Sequence, residues 1–203
     1  MKYLFYLLTL LISLNNFGQT KFKIKEVESK NWKSIYYLVN EKGETIKELD
    51  TAKYVISLND DKYKYFAVFM IKGESGWAAI NIDEKILFKV YNTSFGEPSP
   101  DEIIDNKIRI VDGNNKIGFA DKKGNIIIKP QFEIATSFYK GKAIIGESCE
   151  KILWNEHAKE NDCHHYSIVC KRHGYINEKG IALELGNFTF EEIQKKIKWK
   201  APE

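Results

Sequence analysis

The 203-residue sequence contains no Gly-x-Ser-x-Gly element, no phosphate-cradling glycine loop and no His-Glu-x-x-His signature. Without them, nucleophile-elbow hydrolysis, P-loop nucleotide chemistry and zinc-peptidase chemistry have no footing in the chain. A surplus of one charge is also missing. Lys and Arg number 31 and Asp and Glu 28, which leaves a formal charge of +3, and the lysines are scattered through turns. Such a balance points neither to a nucleic-acid groove nor to an anionic membrane. Asp112-Gly113-Asn114-Asn115 lacks the ligand pattern of a calcium loop. The expectation is a chain that is not an enzyme and has no cofactor and no nucleic-acid partner.

Long apolar runs are scarce as well. The one at the N terminus, Tyr3 to Leu14, follows Lys2 and gives way to Ser13, Asn15, Asn16 and Gly18. It is shorter than the about 20 residues of a membrane-spanning helix, and its layout is that of a secretory signal peptide over residues 1–19, cut near Gly18 or Gln19. No cysteine closes the run, so a lipoprotein anchor is not indicated. Removal leaves about 184 residues, within the size of one domain. The expected location is therefore exported, periplasmic or secreted, without stable membrane insertion after signal removal.

What the sequence does contain is a recurring unit. GFADKKG (Gly118 to Gly124) parallels GYINEKG (Gly174 to Gly180), YLVNEKG (Tyr37 to Gly43) and the degraded AAINIDE (Ala78 to Glu84). The anchors Tyr37, Ala78, Gly118 and Gly174 are spaced 41, 40 and 56, a period of about 40 residues with an insertion before the last copy. Each copy runs from a short apolar strand through Asn or Asp and a turn into a second β-branched run, such as Ile126, Ile127 and Ile128. Pro130 marks the end of that run, because it cannot donate to a ladder. Ser137 to Gly141 then turns the chain into Lys142 to Ile145. One unit is thus three or four short strands.

This pattern resembles the WG-repeat family of bacterial proteins, on whose marked positions Gly118, Asp121, Gly124, Pro130, Phe132, Phe138, Gly141 and Ala143 fall. The name-giving Trp-Gly pair is nowhere intact: Trp77 precedes Ala78, Ile117 precedes Gly118 and His173 precedes Gly174. The resemblance implies an all-β repeat architecture and a binding or scaffolding role, and supplies no catalytic residues. Copies fall near 37–77, 78–117, 118–173 and 174–186 within a single domain over 20–203, as an open twisted stack in preference to a closed propeller. The opening stretch Thr20 to Tyr37 reads as one or two capping strands. YKYFAVFMI at 63–71 reads as a strand buried on both faces. Thr189, with Glu192 three residues on, forms a capping box before a short amphipathic helix at 190–199.

All three cysteines and all four histidines lie between Cys149 and His173. In the family's hairpin the strand holding Ala143 and Ile145 joins the strand entering Gly174 by a tight turn; here an insertion at 147–172 stretches the link. If both strands lengthen with Ile145 opposite Gly174, Cys149 faces Cys170 and a disulfide can form in an oxidising compartment. Cys163 is then left over. The same stretch admits a zinc or copper site from His157, Cys163, His164 and His165 with His173, or a plain solvated loop. Asp101, Glu102 and Asp105 read as solvent-facing charge. The leading expectation is an exported binding or scaffolding module whose partner is another protein or an envelope component. The rivals are a metal- or redox-responsive protein using 149–173, and a carbohydrate-binding module using Trp32, Trp77 and Trp154.

Overall fold

The computed structural model describes residues 20–28, 34–93, 99–153 and 166–202. Residues 1–19, where a signal peptide is expected, and the 154–165 part of the insertion lie outside them, and with them Trp32, Trp154, His157, Cys163, His164 and His165. The described chain is fourteen strands and one helix, and every strand pairing is antiparallel between sequence neighbours.

The strands group into four three-stranded meanders. The first is β1 (Phe22–Glu28), β2 (Ser34–Asn40) and β3 (Thr45–Glu48). After β4 (Tyr54–Ser57), the second is β5 (Ala67–Ile71), β6 (Trp77–Ile80) and β7 (Ile86–Val90). The third is β8 (Lys107–Val111), β9 (Ile117–Asp121) and β10 (Ile126–Phe132). After β11 (Ile134–Ala135), the fourth is β12 (Lys142–Leu153), β13 (Tyr166–Asn177) and β14 (Ala182–Gly186). Their ladders form sheets of three, seven and four strands with open, linear strand order and no closed barrel.

The four anchors share one backbone setting. Tyr37, Ala78, Gly118 and Gly174 each lie on the middle strand of a meander, opposite Lys25, Phe69, Ile110 and Ile145 of the first strand. Each middle strand ends in the same turn. The side-chain oxygen of Asn40, Asn81, Asp121 or Asn177 accepts the backbone N–H groups two and four residues on, at 2.8–3.1 Å. The fourth turn residue takes a left-handed φ: Gly43 82°, Glu84 61°, Gly124 87° and Gly180 77°. Asn and Asp recur at one place and glycine three residues later because one side chain replaces missing ladder partners and only glycine accepts that φ without strain.

Alternation along the middle strands shares the core between meanders. Ala78 and Ile80 of β6 pack with Leu38, Tyr54 and Phe69, whereas Trp77 and Ala79 face the other way, to Phe88, Ile108 and Ile110. On β9, Ala120 joins that second packet while Ile117 and Phe119 join Phe138, Ala143 and Ile176. A strand with period-2 side chains buried on both faces leaves no polar alternation in its sequence, which is why WAAI and the IGFA before Asp121 look uniformly apolar.

Meanders stack by setting the turn of one on the outer strand of the one before. A side chain on Gly124 would fall 2.8 Å from Leu87 Cδ1, and one on Gly180 2.8 Å from Ile128 Cγ2. In the second meander Glu84 fills this place. Its carboxylate reaches back to Lys47, to Lys53 at 3.7 Å and to the buried Tyr54 hydroxyl at 2.7 Å. Lys47 beside it holds the Glu84 carboxyl below its ordinary value of 4.5, and the Cys149 N–H does the same for Glu133. A carboxylate with a depressed folded pKa contributes stability above its unfolded pKa and loses it as pH falls through the folded one. Unfolding by urea is therefore expected to become easier below about pH 4.5, with the Glu84→Gln variant showing a flatter pH profile there.

At the far end α1 (Phe190–Ile197) takes the place of a next turn. Its capping box is formed, with Glu192 N–H on Thr189 Oγ1 at 3.1 Å and Thr189 N–H on Glu192 Oε2 at 2.8 Å. Lys196 pairs with Glu184 of β14 at 2.6 Å, Ile193 is buried, and Trp199 donates to the Ser137 carbonyl at 2.9 Å.

Two segments differ from the sequence reading. The 63–71 run is strand only from Ala67, because the Lys64 backbone pairs with Phe22 at 2.8 Å in both directions and pulls the preceding linker toward β1. Pro130 does not end β10 but sits inside it at a register irregularity between Ile128 and Phe132 on the sheet's edge, where no ladder N–H is needed.

Candidate functional site

Cys149 and Cys170 face each other on β12 and β13, in the register that also sets Ile145 opposite Gly174, and they form a disulfide with Cα atoms 3.9 Å apart. The Glu133 carboxylate accepts the Cys149 N–H at 2.8 Å and ties this ribbon to the preceding linker. His173 is buried, its Nδ1 2.9 Å from the Phe188 carbonyl oxygen and its ring edge-on to Phe190. Both cysteines and the one described histidine of the insertion are thus committed to structural contacts. Among the described residues no group of three or more His, Cys, Asp or Glu is placed to hold a metal ion.

Of the tryptophans in the carbohydrate reading, Trp77 drops out, while Trp32 and Trp154 lie outside the described residues. Trp77 is 1 % exposed inside the second core packet, so its ring offers no face on which a sugar could stack. The acidic cluster is corrected in part. Asp101 is buried, and it holds Arg109 through Nη2 at 2.6 Å and Nε at 3.1 Å while also accepting the Arg109 backbone N–H at 2.8 Å. Arg109 in turn lies 4.4 Å from the Tyr91 ring centroid and donates to the Ala135 carbonyl at 3.2 Å. Burial pushes the Tyr91 phenol above its ordinary value. The sequence offered no partner for Asp101, because Arg109 meets it only once the 99–106 linker lies along β8. Glu102 and Asp105 are exposed, and Asp105 Oδ2 accepts the Gly141 N–H at 3.0 Å.

Between the second and third meanders the stack opens into a cleft of about 760 Å³. Phe66, Val68, Ile103 and Ile108 line its apolar part, and Lys21, Lys62, Lys64 and Lys122 its polar part. Two of its three carboxylates are already neutralised: Asp101 by Arg109, and Asp60 by Lys64 at 2.9 Å and Lys62 at 3.5 Å. Lys122 has no ion-pair partner among the described residues.

Residues 117–146, which span β9 to the middle of the first strand of the fourth meander, match the family described as WG containing repeat. The chain carries a WG repeat. No curated protein matches the chain. The fold shows what the two name-giving positions of the WG repeat do here. Tyr36, Trp77, Ile117 and His173 occupy the first, one per meander, and all four are buried. At the second, a Cβ on Gly118 would lie 2.5 Å from the Ile128 carbonyl oxygen, and one on Gly174 2.0 Å from that of Glu184. The outer strand crosses these glycines so closely that no side chain fits.

Proposed function

We propose that this chain is an exported, non-enzymatic binding module that works in the cell envelope and uses its WG-repeat stack as a scaffold. The observation that carries the reading is the Cys149–Cys170 disulfide, a bond that persists in oxidising compartments and is rare in the cytosol. The N-terminal apolar run supports the same route. No helix among the described residues is long and apolar enough to cross a membrane. Binding is favoured over a purely structural role because the stack keeps an open cleft between two of its meanders.

Fractionation tests this directly. The chain is expected in the periplasmic or secreted fraction, starting near Gly18 or Gln19, with one thiol titratable before reduction and three after. Mild crosslinking of intact cells is expected to trap it in a discrete complex. Recovery in the cytoplasm with all three thiols free would remove export. A chain that stays monomeric in every crosslinked fraction would remove the binding role.

A further inference from the structure

The three stacking junctions are built from the same two positions, and comparing them shows what the cleft lacks. One position is the residue that begins the first strand, opposite the turn's Asn or Asp: Phe22 in the first meander, Lys107 in the third and Lys142 in the fourth. In the second meander the register continues to Phe66. The other is the residue after that Asn or Asp in the following meander: Ile82, Lys122 and Glu178 in turn.

At the first junction both positions are apolar, and Ile82 packs on the cluster that contains Phe22. At the third both are charged. The nearly buried Lys107 pairs with Glu178 at 2.6 Å and rests 4.7 Å from the Phe138 ring centroid, while Asp105 accepts the Gly141 N–H from the next linker. At the second the pair is Phe66 and Lys122, which cannot neutralise one another. The linker residue two before Phe66 is Lys64, where Asp105 stands two before Lys107. Both carboxylates of the closed junction are thus lysines at the open one. The linker there is drawn away to Phe22, whereas Ile104–Lys107 and Tyr139–Lys142 fold into tight turns closed by paired backbone hydrogen bonds.

We infer that the cleft between the second and third meanders is a binding site for a small amphiphilic anion, whose carboxylate or similar group meets Lys122 and whose apolar body lies on the exposed Leu58 and the half-buried Ile103 of its lining. This inference rests on the reading of the stack as a binding module and names its ligand class. A volume of about 760 Å³ falls within the about 300–1,000 Å³ of small-molecule sites. Its lining sets apolar side chains beside lysines, the mixture that an amphiphilic anion requires. The ligand's anionic group would stand where Glu178 stands at the next junction, which supplies the charge that the repeat's own sequence withholds here.

Decanoate is a suitable probe and decanol its uncharged counterpart, with binding to the purified chain followed by titration calorimetry. Decanoate is expected to bind one per chain, and decanol at least about tenfold more weakly. Lys122 is exposed, so Lys122→Glu keeps the fold and is expected to weaken decanoate about tenfold, a loss of about 1.4 kcal/mol. Lys123→Glu, the same charge change one residue along the turn, is expected to leave it unchanged. The inference is overturned if decanoate shows no saturable binding, if decanol binds as tightly, or if the two lysine variants behave alike. Loss of decanoate binding in a chain still trapped in crosslinked envelope complexes would remove the site and leave the binding module standing. Absence of both would remove the module itself.

Discussion

Gly174→Ala is expected to destabilise the protein by about 3 kcal/mol, the upper part of the range for overpacked substitutions. For a domain of this size that lowers the thermal midpoint by about 6–12 °C. The new methyl would lie 2.0 Å from the Glu184 carbonyl oxygen and 2.7 Å from Leu185 Cα. Both obstacles are backbone, so no side-chain rotation can relieve them; β14 must move away from β13. That shift would also disturb Glu184 and its pairing with Lys196 of α1, so loss of the C-terminal cap is expected to accompany it, visible as reduced helical signal before the main transition. Gly113→Ala is the matched control. No atom lies within 4 Å of its Cβ position and its φ is not left-handed, so a change within about 0.5 kcal/mol is expected.

Asp101→Ala is expected to cost about 3–5 kcal/mol in urea unfolding, as for other buried ion pairs that lose one partner. The Asp101 side chain is 3 % exposed and that of Arg109 14 %, so the guanidinium left behind has little water to turn to. The Arg109 backbone N–H loses its acceptor as well. Arg109→Met, which keeps the stem packed near Tyr91, is expected to be milder. The double variant is expected to be more stable than the sum of the two single losses, because it leaves no orphaned charge. Equal and additive losses would mean that the pair contributes only packing.

The turns were the most legible part of the chain. Asn40, Asn81, Asp121 and Asn177 mark four copies of one local structure, and the physical cause is local too: a side-chain oxygen and a left-handed residue within five positions. The capping box at Thr189 and Glu192 is legible for the same reason. The disulfide came within reach because antiparallel pairing propagates register, so placing Ile145 opposite Gly174 also places Cys149 opposite Cys170. The limits of β5 and the fate of Pro130 were less legible, since each depends on a partner strand: Phe22 for the first and β9 for the second.

The cleft is the clearest case of what sequence reading missed. Phe66 and Lys122 lie 56 residues apart, and neither carries an unusual signal alone. Only when the meanders are superposed by their ladders do they prove equivalent to Lys107 and Glu178. The sequence by itself determined the repeat, its turns and its strand-rich character, and it brought the pairing of Cys149 with Cys170 within reach, because those follow from backbone geometry over short spans or from a register that runs on unbroken. The tertiary structure alone decided which faces of β6 and β9 meet which neighbour, that Asp101 is buried against Arg109, and that Phe66 meets Lys122 where the next junction pairs Lys107 with Glu178. Those outcomes are set by contacts between meanders, where charge and volume must match across residues that no local pattern connects.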